Sequence, residues 1–313
     1  MKDESALFGV AGNPPHFWES EFRSDRANAP EWLNSIGLDA LEIQCTYGVR
    51  MPQDRAIAFR ANAEQHKIQL SVHAPYYIGI GSSKKETIQR SIDELRKALD
   101  LSHQLGSKRI IFHPGSIEGD RESARKKAVE TLKRFEDENN MNGVSLFPEI
   151  AGKIGALGSL EDVITICENV ACAWPCLDLA HLHAREHGSL RDKKDFQNVF
   201  QQIESRLGTE AYGYLHLHMY PVEWGDGGEI THKAFHDKIP ITRQLSLFRD
   251  SQNEDTLFRP RYEPLLELVV EQDLKPTIIC EAKDSQDVGA REMKNYYSYL
   301  VRQESELEIL GSK

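Results

Sequence analysis

Histidines and acids recur at the ends of short apolar runs: His73, His113, Glu149, Asp178 with His181 just beyond, His216 and His218, and Glu281. A buried imidazole or carboxylate taken singly is most often a hydrogen-bonded core residue. Several carboxylates gathered in an apolar setting are another matter, because each uncompensated charge is costly and must be protonated or met by a cation. Imidazole mixed with carboxylate, without thiolate, suits zinc or a neighbouring first-row metal better than calcium or magnesium, which favour all-oxygen cages. Zinc takes about four ligands and keeps one place open in catalytic sites, so about eight or nine convergent groups call for two or three ions. Hydrolysis of a phosphate ester is the natural chemistry of such a cluster. Glu229 and His232 add two further candidate ligands, in a segment whose Gly225, Gly227 and Gly228 permit a tight return, with Asp226 in reserve.

These residues need a scaffold that gathers distant parts of the chain. Eight apolar runs of the buried-strand kind begin at Leu7, Ala40, Gln69, Arg109, Val144, Pro175, Gly213 and Thr277. Between them lie amphipathic stretches such as Glu86 to Gly106, where Ile88, Ile92, Leu95 and Leu99 share a helical face; residues 123–139, 160–169, 192–206, 262–272 and 287–306 read alike. That alternation predicts an α/β fold, a single-domain (β/α)8 TIM barrel spanning residues 1–313, with loop insertions near 221–236 and 249–261. In such barrels the active site lies at the C-terminal ends of the strands, where the candidate residues fall.

Composition sets bounds. The chain has 313 residues, 40% of them apolar and 28% charged, the profile of a folded globular protein. A net charge of -11 speaks against gripping nucleic acid through overall attraction, unless cations held in one cleft make that cleft locally positive. Five cysteines without a CxxC pair fit a reducing cytoplasm, and the start MKDESALFGV lacks the apolar core of a leader, so a soluble, unexported protein is expected. His183, His187 and His236 read as surface residues, and Lys84 and Lys85 as a solvated pair or phosphate contacts.

Six motifs, in order, carry a resemblance: SVHAPYYIGIGS from Ser71, IIFHPGS from Ile110, PEIAGKIGALGSLEDV from Pro148, CLDLAHLHA from Cys176, HLHMYPVEWGDGGEITH from His216 and ICEAKD from Ile279. Together they resemble the endonuclease IV family of apurinic/apyrimidinic endonucleases, in its archaeal and bacterial forms, within the xylose-isomerase-like TIM barrel superfamily. The resemblance implies up to three Zn2+ ions, with Mn2+ or another first-row metal as the alternative at one site. His73 and His113 would hold one ion and Glu149 would bridge it to a second, held also by Asp178, His216 and Glu281; His181, Glu229 and His232 would hold the third. Glu149 would also act catalytically, orienting the attacking water. The family's histidine-leucine-asparagine-aspartate run appears as His216, Leu217, His218 and Met219, which assigns the ligand to His216 and leaves His218 as the alternative, since both point the same way from a strand. Glu229-Ile-Thr-His232 replaces an aspartate and a histidine one residue apart. The implied substrate is double-stranded DNA with abasic sites, cut 5′ to the lesion to leave a 3′ hydroxyl in base excision repair. Tyr76 and Tyr77 resemble the family's wedge into the duplex, assisted by Arg50. A cytoplasmic monomer without a membrane or an obligate protein partner completes the expectation. Two competing expectations are a sugar isomerase or epimerase of the same superfamily and a binder of damaged DNA that does not cut.

Overall fold

In the computed structural model, which describes residues 5–239 and 257–311, each of the eight apolar runs contributes a strand to one parallel sheet. The strands are β1 (Leu7–Ala11), β2 (Ala40–Gln44), β3 (Gln69–His73), β4 (Arg109–Phe112), β5 (Ser145–Pro148), β6 (Cys176–Asp178), β7 (His216–His218) and β8 (Thr277–Cys280). Neighbours run β5, β4, β3, β2, β1, β8, β7, β6. Parallel bridges from Leu146 to Ala173 and from Glu149 to Cys176 join the two outer strands, so the sheet curls into a barrel. Parallel strands are covered on both faces, which explains the unbroken burial of Ile110, Ile111 and Phe112 or of Ile278 and Ile279.

Helices α1 (Ala29–Ser35), α2 (Gln53–His66), α3 (Lys85–Leu105), α4 (Arg121–Glu138), α5 (Leu160–Asn169), α6 (Lys193–Leu207), α7 (Glu263–Glu271) and α8 (Gln286–Gly311) pack outside. The sequence marks several of their ends. α3 stops at Gly106, left-handed at φ 69°, and capping boxes of Ser159 with Asp162 and of Asp192 with Asp195 start α5 and α6. No helix among the described residues is long and apolar enough to cross a membrane. The insertion expected at 249–261 lies outside the described residues up to 256.

Two local features depart from a plain barrel. The apolar run from Pro175 does not stay extended to Ala180: Asp178 accepts from the His181 N–H at 2.6 Å and caps a short helix, Leu179–Arg185. Residues Val222–Gly225 and Gly228–His232 pair as an antiparallel hairpin that docks on the loop after β5, through a Lys153 to Gly228 bridge and a Glu229 N–H donating to the Gly152 carbonyl at 3.1 Å.

Register sorts the inward side chains into layers. Across β6 and β7, Cys176 lies beside His216 and Asp178 beside His218; across β2 and β3, Glu42 lies beside Ser71 and Gln44 beside His73. Inward residues alternate along a strand, so Glu42, Ser71 and His216 form a lower layer and His73, Asp178 and His218 an upper one at the mouth.

Candidate metal centre

Glu149 lies at the middle of the mouth, one residue past β5 and almost wholly buried. Its Oε2 is 2.8 Å from His73 Nε2 and 3.5 Å from His113 Nε2, while Oε1 is 3.2 Å from His218 Nδ1 and 3.4 Å from His181 Nδ1. The His218 Nδ1 atom also faces Asp178 at 3.6 Å and Glu281 at 3.9 Å. On the hairpin side, Glu229 stands 3.3 Å from His181 Nε2 and 3.5 Å from His232 Nε2. Among the described residues five groups have ligand atoms within 4.8 Å of one another. Three lie at the mouth: His73, His113 and Glu149; Glu149, Asp178 and His218; His181, Glu229 and His232. Two reach the layer below: Glu42, His218 and Glu281; Cys176, His216 and His218.

The donor set fits metal ions. Zinc bonds of about 2.1 Å in a tetrahedron put neighbouring ligand atoms about 3.4 Å apart, and the contacts of His113, His218, His181 and His232 with their acids, at 3.2 to 3.6 Å, have that spacing. The His113 Nδ1 atom is buried without a hydrogen-bond partner among the described residues.

Electrostatics leads to the same place. Burial opposes charge on His73, yet its hydrogen bond to Glu149 pushes its pKa up to about 9. Burial opposes charge on His181 and His218 as well, and both are raised, the first by Asp178 and the second by Cys176 and the carboxylates around it. Burial lowers His113 to about 4, leaving it neutral, and burial raises Glu281. The carboxylates thus draw protons onto buried imidazoles, a demand for positive charge that metal ions satisfy while releasing those protons.

Residues 30–297 match the xylose isomerase-like TIM barrel family. The chain belongs to that family. An uncharacterized protein of Methanocaldococcus jannaschii is 29% identical over 280 residues, covering 88% of this chain and 91% of its own. A probable endonuclease 4 of Oceanobacillus iheyensis is 30% identical over 174 residues, 54% of this chain and 56% of that relative, so the chain matches little more than half of its length. Among solved structures, endonuclease IV of Thermus thermophilus has a TM-score of 0.63 at 18% identity, covering 93% of this chain and 98% of its own. A D-tagatose 3-epimerase-like protein has the same TM-score, 0.63, at 17% identity, covering 96% of this chain and 99% of its own. Both likenesses speak to the family's fold alone.

The geometry separates residues that sequence spacing left together. His216 lies in the lower layer, 2.9 Å from Glu42, and it is His218 whose ring reaches Glu149, Asp178 and Glu281. Two inward residues on one strand thus occupy different depths, His216 beside Glu42 and His218 beside Glu149. Tyr76 is exposed and meets both Tyr77 and Tyr47 edge to face, ring centroids 5.5 and 6.0 Å apart, while the Tyr77 hydroxyl faces Glu94. Arg50 is exposed on the loop after β2. His183 is no surface residue: it is buried, and its Nδ1 accepts from the Leu190 N–H at 3.1 Å. Sequence reasoning missed Glu42 and Tyr47. For Glu42 the signal was an acid inside an otherwise apolar run, ALEIQC.

Proposed function

We propose that this chain is a zinc-dependent hydrolase that cuts the DNA backbone 5′ to abasic sites, leaving a 3′ hydroxyl, and that it acts in base excision repair as a cytoplasmic monomer. The observation that carries this is Glu149, shared by both oxygens between the His73 and His113 side and the His218 side, with a third group of ligands on the hairpin beyond. In this reading His73 and His113 hold one ion, Asp178, His218 and Glu281 a second, and His181, Glu229 and His232 a third. When bound, the ions would supply Lewis acidity, lowering the pKa of water and offsetting phosphate charge. Glu149 orients the attacking water, and the barrel wall keeps the groups fixed before substrate arrives.

The rim supports a nucleic-acid substrate. Tyr47 and Tyr76, 71% and 60% exposed, form an edge-to-face pair beside the mouth, suited to filling the gap left by a missing base. Arg50, Lys84 and Lys153, on loops at the same end of the barrel, place positive charge there on a chain of net charge -11. A sugar isomerase or epimerase needs one or two ions, whereas His73 and His113 on one side of Glu149 and His181, Glu229 and His232 on the other add ligands enough for a third.

The test is a duplex carrying one abasic site, incubated with the zinc-loaded protein with and without a chelator. A metal-dependent nick on the 5′ side with a 3′ hydroxyl is expected. Intact DNA at full metal loading would favour the non-cleaving binder, and turnover of a ketohexose with intact DNA would favour the epimerase.

A further inference from the structure

Barrel interiors are ordinarily filled by layers of branched apolar side chains. Here the layer beneath the metal centre contains a carboxylate, Glu42, with 0% of its surface exposed. Both of its oxygens are engaged. Oε2 accepts from Ser71 Oγ at 3.0 Å and lies 2.9 Å from His216 Nε2; Oε1 accepts from Gln44 Nε2 at 3.2 Å and lies 3.2 Å from His218 Nε2, an ion-pair contact whose angle falls short of a hydrogen bond.

Hydrogen-bond accounting then fixes the His216 ring. Arg109 Nη1, which can only donate, lies 3.3 Å from His216 Nδ1. That nitrogen must be an acceptor, so the His216 proton sits on Nε2 and is donated to Glu42. Both nitrogens of His216 are spent, and no lone pair remains for an ion. His218 is the reverse case. Its Nε2 faces Glu42, while its Nδ1 is hydrogen-bonded to Glu149 at 3.2 Å and also faces Asp178 and Glu281, so without an ion both nitrogens carry protons. An ion among the three carboxylates would replace the Nδ1 proton and leave Nε2–H toward Glu42. A lone pair facing three carboxylates is stable only with a cation between them.

We infer that Glu42 is the positioning residue of the centre: its buried charge faces the Nε2–H of His218 and so keeps Nδ1 turned to the other three carboxylates as a metal ligand, with His216, backed by the half-buried Arg109, outside the ligand set. The inference rests on the reading that an ion binds at His218. Partners of this kind on a ligating histidine fix its tautomer and raise its basicity, and their loss weakens metal binding by about 10- to 100-fold.

The experiment uses the full chain loaded with Co2+, whose visible absorption reports its ligands, with affinity measured by chelator competition. Glu42→Gln keeps the shape and removes the charge; it is expected to weaken the tightest-coupled ion about 10- to 100-fold and to shift the absorption band. His216→Gln keeps a donor toward Glu42 and is expected to retain the full ion count. Ser71→Ala, which takes one donor from Glu42 and leaves its charge, carries the same test in milder form should Glu42→Gln fail to fold, with a shifted band and an affinity loss of a few fold. Uptake of Co2+ by the unaltered protein tests the metal centre itself; its failure overturns both claims. Normal uptake with affinity and band unchanged in Glu42→Gln or Ser71→Ala overturns the role of Glu42 alone, as does loss of an ion in His216→Gln.

Discussion

Gly152→Ala is the sharpest perturbation of the third ligand group, because it adds one methyl group and removes nothing. A Cβ at residue 152 would fall 2.6 Å from Glu229 Cβ and 2.7 Å from His181 Cδ2, whereas carbon atoms rest about 3.5 to 4.0 Å apart. One or both ligand-bearing residues must then retreat by about 1 Å. Neither is free to do so. The Glu229 N–H is tied to the Gly152 carbonyl at 3.1 Å, and His181 Nδ1 is held by the Ile150 carbonyl at 2.9 Å and by Asp178 at 3.0 Å. A shift of that size is about half of a zinc–ligand bond, so the group opens. We expect the zinc count to fall by one ion, cleavage of an abasic duplex to slow on the order of 100-fold, and stability to drop by about 1 to 3 kcal/mol from overpacking. Gly155→Ala is the control: it lies on the same loop, and its Cβ would meet nothing within 4 Å. Elemental analysis of gel-filtered protein, single-turnover cleavage and urea melts measure the three effects. A full metal complement with an unaltered rate in Gly152→Ala would refute the claim that close docking of the hairpin on this loop assembles the group.

Three further outcomes follow from the geometry. Tyr47→Ala and Tyr76→Ala should each weaken binding of abasic duplex by about 1 to 3 kcal/mol while leaving metal content untouched, read by fluorescence anisotropy; equal binding by both variants removes the rim pair from the interface. Metal binding should release protons, because Glu149 holds a proton on His73 up to about pH 9 and a ligating nitrogen must lose it. The sign is that affinity rises with pH below about 9 and levels off above it, and calorimetry in two buffers of different ionisation heat would contradict this by finding no proton release at pH 8. Asp162 is fully buried, accepts from the backbone of Gly158 and Ser159 at 3.1 and 3.0 Å and pairs with Arg121, and its pKa is lowered despite burial. Because a depressed carboxylate stabilises the fold above its unfolded pKa and loses that contribution as pH falls through the folded value, Asp162→Asn should cost about 2 kcal/mol at pH 7, with the gap narrowing in acid; a gap independent of pH in urea melts would contradict the assignment.

What the sequence revealed, and what it hid, follows from which physical signals are local. Strands buried on both faces appear as unbroken apolar runs, so all eight were visible. Helix α2 was not, because its buried face is Ala56, Phe59 and Ala63, and two alanines make a weak stripe. The helix after β6 was masked for a different reason: Leu179 and Ala180 continue the apolar run, and only the Asp178 cap marks the change of conformation. Residues at strand ends were legible as ligand types, but depth in the barrel was not. A period of two places His216 and His218 on one face, and only pairing with the neighbouring strand, Cys176 beside His216 and Asp178 beside His218, tells which reaches the mouth. Two residues beyond His218, Tyr220 is fully buried as well. Its hydroxyl donates to Asp178 Oδ2 at 3.0 Å and its ring stacks on His232, centroids 4.2 Å apart. One buried side chain, unremarked in the sequence, thus ties the central ligand group to the hairpin group, because a hydroxyl and a ring face can serve two neighbours at once.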